Sequence, residues 1–397
     1  MLLINFTFML LSYLIFNVNS ELCTYNSKKK YSDLIIKYPE LTEQFNFMSE
    51  QPIPLWYTDK YLNSLNEIKD TLQNCQQSIS TIIIYGMVNK DCDAGESAGG
   101  YNKNPNDYTN FITNLHKEVN NRNIIYIVEP DALALSMDNK CGVGNNYISY
   151  IKNAINILSE NKNSIIYLDI GYWVLIYDDQ QVKNVIKIIN NIDPNKKIKG
   201  FTLNLSNYRS NSEMINACKK IIDLSGHQYT CIIDTSRNAN GPDEKNTWCN
   251  AKNAGIGNKP TKNTGNNIID YFMWLKPAIE VDGHCYGSEN SFQSSQPAGG
   301  NDIEYFKLLW NNSQSTIDNS QSTIDNNQNN NNEFSDGYLI KNNPFDSMES
   351  QCKSDDNVCK DNVNKRRDAV NRGNNNNQNN DKKNDKKNNK NSLRCSE

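Results

Sequence analysis

Apolar runs that stop at a polar side chain recur along this chain. Ile124-Ile125-Tyr126-Ile127-Val128 closes at Glu129-Pro130-Asp131-Ala132. Ile165-Ile166-Tyr167-Leu168 ends at Asp169, and Phe201-Thr202-Leu203 ends at Asn204. Cys231-Ile232-Ile233 ends at Asp234, and Phe272-Met273-Trp274-Leu275 ends at Lys276, with Asp282 just beyond. Runs without polar alternation predict strands buried on both faces. Between them, Tyr108, Phe111, Ile112, Leu115 and Val119 recur at three- and four-residue spacing, as do Met214, Ile215, Cys218, Ile221 and Ile222. That period predicts helices with one apolar side, packed outside a sheet. Buried strands alternating with one-sided helices imply parallel pairing in an α/β fold. Strands that each deliver a polar residue at their C-terminal end describe a β/α barrel with its active site on one rim.

The alternation is regular from Ser80 to about Asn311 (80–311), with 21–79 as a lead-in to this catalytic barrel. Beyond it the composition shifts. NSQSTID from Asn312 to Asp318 is repeated from Asn319 to Asp325, an Asn run follows, and the last stretch is rich in Lys and Asn. Such a segment buries too little apolar surface to offset its chain entropy, so 312–397 is expected to be a mostly disordered tail. Its Lys365-Arg366-Arg367 run reads as a solvated basic stretch or a processing site. At the other end, Met9 to Phe16 is an apolar block followed by Val18-Asn19-Ser20, which reads as a signal peptide over 1–20, cleaved near Ser20. The block is short for a membrane span.

The sequence has 397 residues, enough for one large core plus tails. A formal charge of −4 gives no argument for nucleic acid as a partner. Eleven cysteines fit a secreted protein, in which bridges persist. With only three histidines and no Cys/His cluster at zinc spacing, no catalytic metal and no cofactor are expected.

The rim residues suggest a chemistry. Asp131 follows an apolar strand, and such a carboxyl holds its proton to unusually high pH if a second carboxylate lies near. A proton donor paired with a second carboxylate is the equipment of glycoside hydrolysis. The competing reading of Asp131 is a helix N-cap after a strand.

Several segments, in order, resemble glycoside hydrolase family 6, the family of cellobiohydrolase II and related endoglucanases. Tyr85 to Ser97 (YGMVNKDCDAGES) is similar to its Tyr-Asp-Leu-Pro-x-Arg-Asp-Cys-x-Ala segment, and Tyr126 to Asn139 to its Val-x-Glu-Pro-Asp-x-Leu segment. Tyr167-Leu168-Asp169-Ile170-Gly171, Gly200 to Tyr208 (GFTLNLSNY), Asp234 to Asn238, Trp248-Cys249-Asn250, and Lys276 to Gly283 (KPAIEVDG) follow. The resemblance covers roughly residues 50–311 and implies a distorted, incomplete TIM-like parallel β/α barrel. It also implies a secreted, monomeric, inverting β-1,4-glucanase that acts on cellulose or a related polysaccharide, with no membrane attachment once the signal is removed.

Carried over residue by residue, the resemblance makes Asp131 the general acid, Asp91 its electrostatic support and Asp282 the candidate base. Asp282 could instead pair with Lys276, with water activated through a chain ending at Asp91. Tyr85 would sit against the distorted sugar ring. Lys276 and Glu280 would bond hydroxyls, Trp56 and Trp248 would stack on sugar faces, and Asp169, Asn204 and Asn207 would support sugar binding. Asp169 also reads as a buried carboxylate satisfied by backbone N–H groups. Bridges Cys92–Cys141 and Cys249–Cys285 are implied by the resemblance, with Cys218–Cys231 and Cys23–Cys75 as further pairs.

The chain departs from the family pattern at three places. Leu175 stands where the family has a leaving-group-side tryptophan, leaving Trp173 as the aromatic that could compensate. Lys90 replaces an arginine and lacks its planar fork. The loop from Asp282 to Ala298 is short for a tunnel roof, which favours an open cleft and internal cleavage, while the resemblance as a whole leaves endoglucanase and cellobiohydrolase action near even. Rival functions are a catalytically weak glucan-binding or wall-associated protein, and a protein that works through its basic tail. Asn311-Asn312-Ser313 is the expected glycan site, because Asn204-Leu205-Ser206 falls at a strand end.

Overall fold

Each of the apolar runs becomes a strand. A computed structural model describes residues 21–313, apart from 138, 139, 177 and 288. The expected signal segment, the repeats beyond Ser313, the Asn- and Lys-rich stretch that follows them and Cys352, Cys359 and Cys395 lie outside the described residues. The strands are β1 (Leu55–Thr58), β2 (Ser80–Tyr85), β3 (Ile124–Val128), β4 (Ser164–Asp169), β5 (Gly200–Leu203), β6 (Thr230–Asp234) and β7 (Ile269–Met273). They pair in chain order, every neighbour parallel. The helices of eight residues or more are α1 (Tyr25–Lys37), α2 (Thr42–Ser49), α3 (Ser64–Asn74), α4 (Pro105–Val119), α5 (Tyr147–Leu158), α6 (Asp179–Ile192), α7 (Asn211–Ser225) and α8 (Ile303–Asn312). β1 and α1 to α3 fall within residues 21–79, ahead of the stretch where the alternation is regular.

The pleat sorts the strand residues. Ile124, Tyr126 and Val128 of β3 face the outer helices, where Ile112 and Leu115 of α4 and Ile151 and Ile155 of α5 meet them. Ile125 and Ile127 point inward to a second core with Ile83, Tyr167, Ile232 and Met273. Each fully buried aliphatic side chain contributes about 1.5–3 kcal/mol of transfer free energy. A third cluster, with Tyr31, Phe45, Trp274 and Phe306, joins α1, α2 and α8 to the loops after β6 and β7. Helix starts follow local chemistry: the Asn104 side chain accepts from the N–H groups of Asn106 and Asp107 with Pro105 next to it, and Asp302 accepts from Glu304 and Tyr305.

The sheet curls but ends at β1 and β7 without closing, giving the distorted, incomplete barrel that the resemblance implies. Across the gap, the Trp56 indole N–H donates to the Leu275 carbonyl at 3.0 Å. β7 stops at Met273, two residues short of the apolar run. The reason is side-chain capture: the Leu275 and Lys276 N–H groups donate to the Asp234 carboxylate at 3.2 and 3.3 Å instead of to a strand.

Among the described residues four disulfides are formed. Cys92–Cys141 ties the loops after β2 and β3, Cys249–Cys285 the loops after β6 and β7, Cys218–Cys231 α7 to β6, and Cys23–Cys75 the N-terminal segment to the end of α3. Among the described residues no helix is long and apolar enough to cross a membrane.

Gly200 opens β5 where only a hydrogen fits, because a Cβ there would lie 1.8 Å from the Thr230 carbonyl oxygen of β6. Gly200→Ala is therefore expected to cost about 1–3 kcal/mol of stability through overpacking. Gly144→Ala, into open space, is expected to cost nothing. Denaturant midpoints for the two variants check this.

Candidate active site

The strands deliver their terminal residues to one rim, and there the backbone is bent hard. Glu129 and Asp131 have φ of 45° and 66°, and Asn89 and Asp91, after β2, both have φ of 56°. Non-glycine residues in the left-handed region are costly and persist only where surrounding contacts over-determine them. Here the contacts are evident. The buried Glu129 carboxylate accepts from the N–H groups of Gly86 and Met87 at 3.2 and 3.4 Å, which joins the turn after β3 to the loop bearing Asp91. That loop is held further by the Lys90–Asp59 ion pair, by the Tyr147 hydroxyl donating to the Asn89 carbonyl, and by Cys92–Cys141. Lys90 thus sits in a buried ion pair, although it lacks the arginine fork.

Asp131 is placed from behind by Asp169. Its N–H donates to Asp169 Oδ2 at 2.8 Å, while the Thr202 hydroxyl donates to Oδ1 at 2.8 Å. Burial pushes the Asp169 carboxyl up to about 7. Asp131 itself, half-buried, is pushed well above the usual carboxylate range, first by desolvation and then by the charges of Asp169, Asp91 and Asp282. Asp91 is also raised by burial, with the N–H groups of Ser97 and Gly95 working against that rise.

Asp282 goes the other way. Burial would raise it, but the Arg237 guanidinium, Lys276 and the Tyr208 hydroxyl together hold it below the ordinary range. Arg237 donates to Oδ1 at 2.9 Å and to Oδ2 at 3.1 Å, the Tyr208 hydroxyl donates at 2.7 Å, and the Asn250 N–H at 3.0 Å. The alternative in which Asp282 pairs directly with Lys276 is thus corrected. The direct partner is Arg237, whose planar fork can take both oxygens at once.

All these elements surround one cleft of 1310 Å³. Asp91, Asp131 and Asp282 line it together, as do Tyr85, Trp56, Asn207, Trp248, Lys276 and Glu280. The rings of Trp56 and Tyr85 meet edge to face at 5.9 Å. Lys276 is held low by desolvation, against the pull of Glu280 and Asp282. Glu280 forms an ion pair with Lys30 of α1 at 2.6 Å.

Two expected sugar-binding residues stand behind the wall instead. Asp169 is buried with both oxygens occupied as described. Asn204 is buried, its amide donating to the carbonyls of Arg209 and Asp234 while its oxygen accepts from the Arg209 N–H. Neither lines the cleft, because their polar atoms are consumed in holding the strand ends. Asn204 being buried also leaves its sequon inaccessible, whereas Asn311 is exposed.

Sequence reasoning left out Arg237 and Tyr208 as site residues. An arginine three positions past a strand-end aspartate was the available signal. Trp173 lines the cleft while Leu175 is fully buried, so the aromatic sits two positions earlier than the family pattern has it. A single 3-10 turn, Tyr172–Val174, carries that ring. Among the described residues no cluster of His, Cys, Asp and Glu could hold a metal ion.

The sequence model of glycosyl hydrolases family 6 matches residues 18–313. Endoglucanase A of Thermobispora bispora is 32% identical over 221 residues, 54% of this chain and 46% of that protein. Endoglucanase-6B of Humicola insolens is 28% identical over 274 residues, 58% of this chain and 77% of that protein. The chain therefore spans about half the length of the first of these relatives. A family 6 enzyme of Orpinomyces sp. Y102 superposes with a TM-score of 0.64 at 25% identity, covering 73% of this chain and 95% of that one. Cellobiohydrolase II of Humicola insolens, solved in complex with glucose and cellotetraose, has a TM-score of 0.65 at 24% identity, over 74% and 97% of the two chains.

The Arg237–Asp282 pair is almost wholly buried, with side-chain exposures of 0% and 7%. Arg237→Met is expected to cost about 3–5 kcal/mol, because it strands a buried carboxylate. Arg237→Met combined with Asp282→Leu should recover much of that loss. Thermal and denaturant unfolding of the single and double variants check both expectations.

Proposed function

The chain belongs to glycosyl hydrolases family 6, and from that premise we propose that it hydrolyses β-1,4-glucans such as cellulose with inversion at the anomeric carbon. The observation that carries this is the divergence of two carboxyls in one cleft: Asp131 pushed well above the usual carboxylate range, Asp282 pushed below it. Finding two such groups pushed apart is how acid and charge-stabilising roles are assigned. Asp131 gives its proton to the leaving glycosidic oxygen as that bond breaks. Asp91 keeps the proton on Asp131 beforehand and stabilises the positive charge that develops on the ring. Trp56, Trp248 and Trp173 supply flat apolar faces for sugars, and Lys276, Glu280 and Asn207 supply hydroxyl partners.

Water attacks the opposite face of the ring, and its proton must be accepted. Asp282 is a weak acceptor, since four donors occupy its oxygens and its basicity is depressed. A water chain ending at Asp91, whose carboxyl is raised, is the better route, with Asp282 supplying fixed negative charge. Four disulfides support action in an oxidising, extracellular setting.

Asp131→Asn is expected to lower kcat on barley β-glucan by about 10²–10⁴-fold, the usual size of a general-acid contribution, with the circular dichroism spectrum unchanged. Wild-type-like turnover would reject the acid assignment. Catalysis requires Asp131 protonated, so the rate falls as pH rises through its pKa. Asp91→Asn removes a repelling charge and the end of the water chain, so kcat should fall and the alkaline limb of the residual kcat/KM should shift to lower pH. Product NMR should show the inverted anomer, and viscosity loss relative to reducing ends separates internal from terminal cleavage. Absence of product on every glucan would favour a binding protein that keeps the fold.

A further inference from the structure

The cleft does not end at Trp56. From Trp173 it passes Asp131 just after β3, Tyr85 on β2 and Trp56 on β1, and then continues over α1 and the segment that leads into α3. There its lining includes Tyr61 and Asn63 ahead of α3, Glu67 within it, and Asn26, Lys29 and Asp33 on α1. None of these was needed for the reaction described above.

Tyr61 is the unusual member. It is 62% exposed, whereas most tyrosines of the described chain are buried, and it sits on the wall of the cleft that holds the reacting groups. An aromatic ring left in water beside a polar groove costs apolar hydration and is recovered when a ligand covers it. Glucose rings offer a matching surface: axial C–H groups on the faces and hydroxyls around the edge. The amide and charged groups of Asn63, Glu67, Asn26 and Asp33 are suited to those edge hydroxyls, as donors and acceptors at the same stretch of groove. The N-terminal half of α1 is anchored on two sides: Lys30 pairs with Glu280 at 2.6 Å, and Lys29 and Tyr25 both bond Asp70 of α3, at 2.6 and 2.9 Å. The wall is therefore a fixed surface and not a loose terminal helix.

We propose that Tyr61, with the α1 and α3 wall, forms an additional subsite for a β-1,4-linked glucan chain, beyond Trp56 on the side away from Trp173. This rests on the glucanase reading. The subsite engages only chains long enough to reach past Trp56, so it acts as a chain-length selector and adds nothing for short ones.

The test compares Tyr61→Ala, Tyr61→Trp and the unsubstituted protein on β-1,4-linked glucose trisaccharide and hexasaccharide. Leu62→Ala serves as control, since Leu62 is 82% exposed beside Tyr61 but lies outside the cleft lining. In Tyr61→Ala the ratio of kcat/KM on hexasaccharide to that on trisaccharide is expected to fall about 2- to 10-fold, the size of one aromatic contact, chiefly through KM. Tyr61→Trp should restore it, and Leu62→Ala should leave it unchanged. Calorimetric binding of the hexasaccharide, measured in the Asp131→Asn background, should weaken by a similar factor in Tyr61→Ala. An unchanged ratio with unchanged binding overturns the subsite, and so does equal loss on both lengths. Failure of the unsubstituted protein to cleave any glucan overturns the glucanase reading instead, and the binding comparison then decides the subsite alone.

Discussion

Two carboxyls that line one cleft are pushed in opposite directions, Asp131 upward and Asp282 downward, and the rest of the rim is arranged around that contrast. Desolvation alone would push every buried acid of the rim upward, as it does Asp131, Asp91, Asp169 and Glu129. Only Arg237, seated against Asp282 with help from Lys276 and Tyr208, reverses the direction for one of them. The contrast between Asp131 and Asp282 is thus set by where one guanidinium lies, since both carboxyls line the same cleft.

Holding such groups costs backbone strain and buried charge, and the barrel supplies the restraint. Asp169 and Asp234 work as internal fasteners at the rim. One binds the N–H of Asp131 and the hydroxyl of Thr202, and the other binds N–H groups from the loops after β5, β6 and β7. Glu129 links the turns after β2 and β3 in the same way. These are fully buried acids whose product is geometry, and two apolar layers on either side of the sheet keep them rigid. The disulfides Cys92–Cys141 and Cys249–Cys285 brace the loops that bear Asp91 and Asp282.

The open seam between β1 and β7 has its own consequence. A closed barrel would present a rounded mouth, whereas here the sheet edge at β1 lets the groove run outward across α1 and α3. Trp56 stands at that edge, bonded across the gap to Leu275. Incompleteness of the barrel is thereby turned into length of the binding groove.

The order of apolar runs determined the parallel sheet, because strands buried on both faces leave no other way to pair when helices separate them. The residues closing those runs determined which acids would reach the rim, since a strand's end fixes its position in the barrel whatever its neighbours are. Spacing could not reveal which of those acids face the cleft and which are consumed behind it. Asp169 and Asn204 occupy the same kind of strand-end position as Asp131, and only their hydrogen-bond partners, from strands far away in sequence, turn them inward. The partner of Asp282 was equally hidden, as Arg237 lies 45 residues before it. The place of Trp173 depended on one turn, and the joining of α1 to the cleft on an ion pair between Lys30 and Glu280, 250 residues apart. Local chemistry writes the elements and their ends; contacts between distant segments decide which face of each residue meets water, sugar or another acid, because charge and burial act through space and not along the chain.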